Sequence, residues 1–180
     1  MAAQSFLIAA LGDVIRGLND RGAEYALAGG LAYGALVEPR ATTDVDLLIL
    51  LDRPDRETVA TLFSSVFESV IPHSDPMVFK RLSIWRVIGM REGREVIVDL
   101  LLAQSDFLKS ALERKRTVDF QGLALPIVTL EDLIILKAIA GRLQDRADIE
   151  KITQRPELRV DWEYVKQWQV KLGLERGVEG

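Results

Sequence analysis

The sequence predicts an α/β (α+β) core that ends in a helical C-terminal part. Three observations carry this. Apolar residues recur at a 3.6-residue period in several stretches, the mark of helices with one buried face. Short apolar runs bounded by Gly, Pro, Asp and Arg stand between them, the mark of buried strands. Near Thr129 the strand signals stop and only helical ones continue. The 180 residues fit one domain, which takes roughly 100–200. The expected organisation is one compact unit, with a core over 1–128 and a helical part over 129–180 packed on it.

In chain order, Phe6, Leu7, Ala10, Leu11, Val14, Ile15 and Leu18 form one helical stripe, predicting a helix over about residues 4–20. Tyr25–Ala28 reads as a short strand stopped by Gly29 and Gly30. Leu31–Val37 reads as a short helix that Pro39 ends. Asp46–Leu51 is a buried strand bounded by "DRPD", and Arg56–Val70 a helix followed by the loop "IPHSDP". "MVFKRLSIWRVIGM" and "REVIVDLLL" read as two strands of a hairpin turning at Gly93. Ser105–Lys115 is a helix with a basic end. A small hairpin turns at Gln121-Gly122. Thr129 caps the next helix, with Asp132 in capping-box position; that helix carries "LEDLIILKAIAGRLQDRADIEKI". Asp161–Leu172 is the last helix.

Composition excludes several function classes. Hydrophobic residues make up 48%, too many for a disordered chain. No run approaches the roughly 18 apolar residues of a spanning helix. The N-terminal stretch has charges at helical spacing and no basic leader, so it is expected to be a helix and not a signal peptide. The expected compartment is the cytoplasm, with no membrane partner. There is no cysteine and one histidine, which excludes disulfides, thiolate chemistry and a Cys/His zinc site. A metal would have to be held by carboxylates, which selects Mg²⁺ or Mn²⁺. The net charge of −4 argues against a surface coated in base for long nucleic acid.

The chemistry concentrates in "YALAGGLAYGALVEPRATTDVDLLILL". Asp44 and Asp46 are two apart at a strand, so both carboxylates point to one face and Val45 to the other. Asp99 interrupts the apolar run of "EVIVDLLL". If the two strands are neighbours, three carboxylates converge. Two unit charges about 5 Å apart repel by roughly 3 kcal/mol at an effective dielectric near 20, so the cluster calls for a cation or a proton. The alternatives are a turn or cap role for the Asp pair and a salt bridge from Asp99 to Arg86 or Lys80. Gly29-Gly30, between a strand and a helix, lets backbone N–H groups approach an anion at a helix N-terminus. The alternative is a tight turn.

"AGGLAYGALVEPRATTDVDLLI" resembles the DNA polymerase beta-like nucleotidyltransferase superfamily, which has an apolar strand, Gly-Gly or Gly-Ser, a short helix and Asp-x-Asp on the next strand. "EPRATTDVDL" is most similar to the AbiEii/AbiGii-type nucleotidyltransferases, toxins of bacterial toxin–antitoxin pairs. "LEDLIILKAIAGRLQDRADI" extends the likeness through Lys137, Arg142, Asp145 and Asp148, so it spans about residues 23–150. One departure is Gly30, where many members have Ser. The resemblance implies a nucleotidyltransferase-fold mixed β-sheet flanked by helices. It implies Asp44, Asp46 and Asp99 as catalytic metal ligands, with Asp99 also helping to deprotonate the acceptor. It implies Gly29, Gly30, Arg40, Thr43, Lys137 and Arg142 around the nucleotide, with Asp145 as accessory base or partner. The activity implied is metal-dependent transfer of an NMP from an NTP to a hydroxyl of a tRNA end or a protein, with a cognate antitoxin as partner.

Each of these has a plainer counterpart. Lys137 in an apolar helix can simply snorkel. Arg142, Asp145, Arg146 and Asp148 can form a solvated helix-end charge network. His73 reads as a surface loop residue, and Trp85, Trp162 and Trp168 as packing. "LERKRT" is the densest basic patch and the candidate for touching an RNA acceptor. The rival function is a non-catalytic nucleotide-binding or partner-binding module on the same fold.

Overall fold

The structure is a computed structural model and describes residues 2–174. The element order is α1 (Ala2–Asp20), β1 (Glu24–Leu27), α2 (Gly29–Leu36), β2 (Asp44–Leu50), α3 (Arg56–Phe63), β3 (Ser69–Pro72), β4 (Met77–Phe79) and β5 (Leu82–Arg91). There follow β6 (Arg94–Leu102), α4 (Asp106–Glu113), β7 (Arg116–Phe120), β8 (Leu123–Ile127), α5 (Leu130–Ala140), α6 (Leu143–Thr153) and α7 (Trp162–Leu172), with a 3₁₀ turn at Pro156–Leu158. The expected mixed α/β architecture is present. The end of the expected helical part, from residue 175, lies outside the described residues.

All eight strands join one sheet, in the order β3-β5-β6-β2-β1-β8-β7, with β4 beside β5. The β2–β6 and β1–β8 pairs are parallel and the others antiparallel. β2, β1 and β6 lie in the interior of the sheet. Their apolar runs are accordingly almost continuous: Val45, Leu47, Leu48 and Ile49 are fully buried, as are Val98 and Leu100. α2 packs against β2 and α5, and α5 packs against α2, α6 and α7. The site therefore has sheet on one side and helix on the other.

Several elements differ from the sequence reading, each for a local reason. β2 starts at Asp44, so both aspartates are strand residues with ladder partners. The helix from Arg56 ends at Phe63, and Ser69–Pro72 pairs with β5 instead. Gly89 of β5 makes this possible: a Cβ there would fall 2.3 Å from the Phe67 ring, so the ring lies flat on the strand. "MVFKRLSIWRVIGM" holds two strands, β4 and β5, turning at Lys80, which takes a left-handed φ of 53° without being Gly or Asn. The long helix from Leu130 breaks at Gly141, whose φ of 62° closes α5. α6 then leaves in a new direction, starting from Arg142.

Thr129 does cap α5, accepting from the Asp132 N–H at 3.2 Å. The reciprocal half of the expected box is absent. Asp132 is fully buried and instead accepts from Thr129 Oγ1 (2.7 Å), Arg114 Nε (3.2 Å) and Tyr164 OH (2.8 Å). Arg114 also lies 3.9 Å over the Tyr164 ring, and Lys115 pairs with Glu24 at 2.9 Å. The basic patch "LERKRT" thus turns two of its cations onto the protein itself. Trp85 is buried with Nε1 donating to the His73 carbonyl at 3.0 Å, and Trp168 meets Phe107 edge-on at 5.2 Å. Both pack, as expected.

Candidate active site

The parallel register of β2 and β6 places Asp46 directly opposite Asp99. Asp44 precedes Asp46 by two and shares its face. The β5–β6 hairpin places Arg86 opposite Asp99 on the other side. One row across three strands therefore reads Arg86, Asp99, Asp46. A cavity of about 380 Å³ opens over this row. Asp44, Asp46, Asp99 and Asp145 line it, together with Arg40, Arg86, Lys137 and Arg142. Met77, Val78 and Phe79 of β4 add an apolar wall.

Helix α2 begins at the two glycines, earlier than the sequence suggested. Gly29 has φ 62°, and a Cβ on it would lie 1.8 Å from Asp46 Oδ2. Only glycine lets the helix start and the strand carboxylate meet. The Gly30 N–H donates to Asp46 Oδ2 at 3.4 Å, so Asp46 itself faces the open end of the helix.

Even so, the Asp46 carboxyl is pushed up to about 6. Burial is the largest cause, and the charges of Asp99 and then Asp44 add to it. The Gly30 N–H and Arg142 oppose the rise without cancelling it. The like-charge repulsion expected from the sequence is thus present at Asp46. Three carboxylates with only oxygen donors form a ligand set suited to a hard divalent cation. Among the described residues, however, no group of three His, Cys, Asp or Glu side chains is already arranged to hold a metal ion. Asp99 is the carboxylate set apart. Arg86 Nε donates to its Oδ1 at 2.8 Å and Nη2 to its Oδ2 at 2.7 Å, a bidentate pair. Of the two partners weighed for Asp99, the structure selects Arg86 over Lys80. Asp99 raises the Arg86 guanidinium above its ordinary value, chiefly through that hydrogen bond.

The helical side carries a second charged cluster. Lys137 is only 5% exposed, and its Nζ donates to Asp148 Oδ2 at 2.6 Å and lies 3.7 Å from Asp145 Oδ1. Asp148 is fully buried and also accepts from Arg40 Nη1 and from Gln144 Nε2 (3.0 Å). Lys137 and Arg40 stand 5.3 and 5.9 Å from the Tyr33 ring centroid. Lys137 therefore does not snorkel. Of the solvated helix-end network weighed for Arg142, Asp145, Arg146 and Asp148, the two carboxylates are buried, because the Gly141 break turns α6 so that they face inward, while both arginines are exposed. Arg142 is the outer member, with its side chain 70% exposed and its Nε on Asp145 Oδ2 at 2.7 Å. Asp145 also accepts from the Arg142 N–H at 3.2 Å, which closes the first turn of α6. Thr43 is exposed and donates its hydroxyl to Asp44 Oδ1. Its neighbour Thr42, not Thr43, lines the cavity.

Residues 7–176 match the family described as "Nucleotidyl transferase of unknown function (DUF2204)". The chain belongs to that family. It is an enzyme, a nucleotidyl transferase whose acceptor the family leaves open. Two solved structures share the fold. A Thermotoga maritima protein assigned as a nucleotidyltransferase has a TM-score of 0.54 at 16% identity, over 82% of this chain and 92% of its own. ANT(2")-Ia, solved with adenylyl-2"-tobramycin, has a TM-score of 0.58 at 14% identity, over 92% of this chain and 96% of its own. No curated protein matches the chain.

The β4 wall of the nucleotidyl transferase is not legible in the sequence, and of the two threonines before the Asp pair it is Thr42, not the Thr43 expected at the nucleotide, that lines the cavity. "MVF" looked like the start of one long strand, and nothing in "ATTD" separates the two threonines. The Arg86–Asp99 pairing carried a signal. With the turn fixed at Glu92-Gly93, counting back along both strands puts these two residues opposite each other.

Proposed function

We propose that the transferase moves an NMP from an NTP onto a hydroxyl, using Mg²⁺ or Mn²⁺ held by Asp44, Asp46 and Asp99. The observation behind this is the convergence of those carboxylates on one cavity beside the N-terminus of α2. A divalent cation bound there would neutralise triphosphate charge and acidify the acceptor hydroxyl. The chain's own part is positioning. The Gly29 N–H, and the Gly30 N–H once it leaves Asp46, meet phosphate oxygens, and Arg142, with its exposed head, reaches the polyphosphate from the helical side. Lys137 acts at one remove: it fixes Asp148, which holds Arg40 in the cavity wall. Asp99 draws the proton from the acceptor hydroxyl as its oxygen bonds to the α-phosphorus and pyrophosphate leaves.

For the acceptor, the reading is an RNA end or a protein hydroxyl. A polyamine sugar such as tobramycin calls for an open acidic rim, whereas β4 offers Met77, Val78 and Phe79, all exposed at the cavity. The wording "EPRATTDVDL" supports an AbiEii-type toxin with a cognate antitoxin. No helix among the described residues is long and apolar enough to cross a membrane. The division into a 1–128 core and a 129–180 helical part fits the placement of Lys137, Arg142 and Asp145 opposite the sheet carboxylates.

The test is incubation of the protein with each α-labelled NTP, Mg²⁺ and either total RNA or total protein. Label should pass to one acceptor class with one preferred NTP, and EDTA should stop it. Melting with NTP and metal is the parallel measure: ligand at a hundred times its dissociation constant adds about 2.7 kcal/mol. No label transfer and no stabilisation by any NTP with metal would overturn the reading.

A further inference from the structure

We propose that Arg86 is a built-in placeholder cation, which holds Asp99 out of the metal site until a nucleotide's polyphosphate draws the guanidinium away. This rests on the metal-dependent reading above and adds an order of events: the third carboxylate becomes a ligand only after nucleotide arrives.

Four observations carry it. Strand register places Arg86 opposite Asp99, which is itself opposite Asp46, so the sheet brings the three residues side by side. Its guanidinium binds both oxygens of Asp99 while Nη2 stands 3.9 Å from Asp44 Oδ2. It therefore stands within reach of two of the carboxylates a bridging cation would use. The two partners differ in freedom. The Asp99 side chain is 9% exposed, whereas that of Arg86 is 33% exposed and lines the cavity. The arginine can swing toward a ligand, and the aspartate cannot leave. Finally, the buried carboxylate needs a partner at all times. An arginine that yields to a polyphosphate, for which its planar fork is equally suited, lets one cation replace another without leaving Asp99 bare.

A permanent structural bridge would show the same contacts but a different response to metal. Mn²⁺ binding is read from the loss of the free-ion electron paramagnetic resonance signal. Wild type and Arg86→Gln are titrated alone and with each of the four α,β-methylene NTP analogues. The placeholder predicts weak Mn²⁺ binding by wild type alone and much tighter binding with an analogue. It predicts that Arg86→Gln alone binds Mn²⁺ about tenfold or more tightly than wild type, since a competing unit charge is gone. Equal Mn²⁺ affinity of the two proteins without nucleotide, with analogue-dependent binding intact in both, would overturn the placeholder and spare the function. No Mn²⁺ binding under any condition would remove both. Should Arg86→Gln fail to fold, wild type answers alone. The Arg86 Nε–H resonance, assigned by its absence in Arg86→Lys, should shift or vanish on adding analogue with Mg²⁺. An unmoved resonance in the analogue-bound protein would equally overturn the proposal.

Discussion

Thr42 occupies the space that a side chain on Gly30 would need. A Cβ on Gly30 would stand 2.7 Å from Thr42 Oγ1 and 3.0 Å from Thr42 Cβ. Where many members of the resembling superfamily carry Ser, this chain has a glycine and brings a hydroxyl to the same place from the loop before β2.

The first prediction follows directly. Gly30→Ala should lower stability by about 1–2 kcal/mol, because overpacking exceeds the helix-propensity gain of up to about 1 kcal/mol. Adding Thr42→Ala should recover most of the loss, giving a coupling in the double-mutant cycle. Urea denaturation of the four proteins measures it. Additive losses would mean the two residues do not share that space.

Asp46 gives the second. Its carboxyl sits at about 6, above its ordinary 3.8. The folded state thus holds this proton more tightly than the unfolded chain, and stability falls as pH rises between these values. For the metal-free protein in EDTA, this group should cost up to about 3 kcal/mol by about pH 7. Asp46→Asn removes the titration, so it should match wild type near about pH 4 and exceed it near about pH 7. The stabilisation by Mg²⁺ with NTP should vanish in the same variant. A variant less stable than wild type at neutral pH, with the ligand effect retained, would place Asp46 in a purely structural role.

Lys137 is expected to matter to the fold itself. Removing one partner of a buried ion pair costs about 3–5 kcal/mol. Asp148 keeps Arg40 and Gln144, so Lys137→Met should fall at or below the low end of that range. Guanidinium melts give the number, and loss of less than about 0.5 kcal/mol would show that Arg40 and Gln144 satisfy Asp148 without Lys137.

Arg142 should behave in the opposite way. Its side chain is mostly exposed, and when the guanidinium is removed the buried Asp145 keeps Lys137 Nζ at 3.7 Å and the residue 142 backbone N–H at 3.2 Å, so the loss should stay at about 1 kcal/mol or less. Arg142→Ala should leave melting nearly unchanged and weaken NTP binding about tenfold, equivalent to about 1.4 kcal/mol. Isothermal titration with NTP and Mg²⁺ separates the two variants, and unchanged affinity would confine Arg142 to closing the first turn of α6.

Much of this was legible in the sequence because it obeys short-range periods. The alternation in "DVDLL" fixed which residues share a face, and Asp99 stood out as a lone charge in an apolar run. The convergence depended on β2 and β6 being neighbours, which is a long-range pairing that no local pattern encodes. What escaped followed from competition at single positions. Lys80 takes a left-handed turn without glycine, so β4 merged with β5. Gly141 fell inside a strong helical period, and its capping role emerged only with the turn of α6. That turn also decides the fate of Asp145 and Asp148, whose burial reverses the solvent-facing reading their spacing invites.

The row of Arg86, Asp99 and Asp46 also makes the site sensitive to counting. Side chains on a strand alternate, so a one-residue insertion or deletion in β6 between the Glu92-Gly93 turn and Asp99 would turn Asp99 away from the cavity or break its pairing with Arg86 and Asp46. Length changes at the Gln121-Gly122 turn lie beyond this row and leave it aligned. Among natural or engineered length variants, tolerance should therefore be asymmetric. The β7–β8 turn can grow, whereas the segment from Arg94 to Asp99 has a fixed length, and a deletion scan would reveal the active-site strands by that rigidity alone.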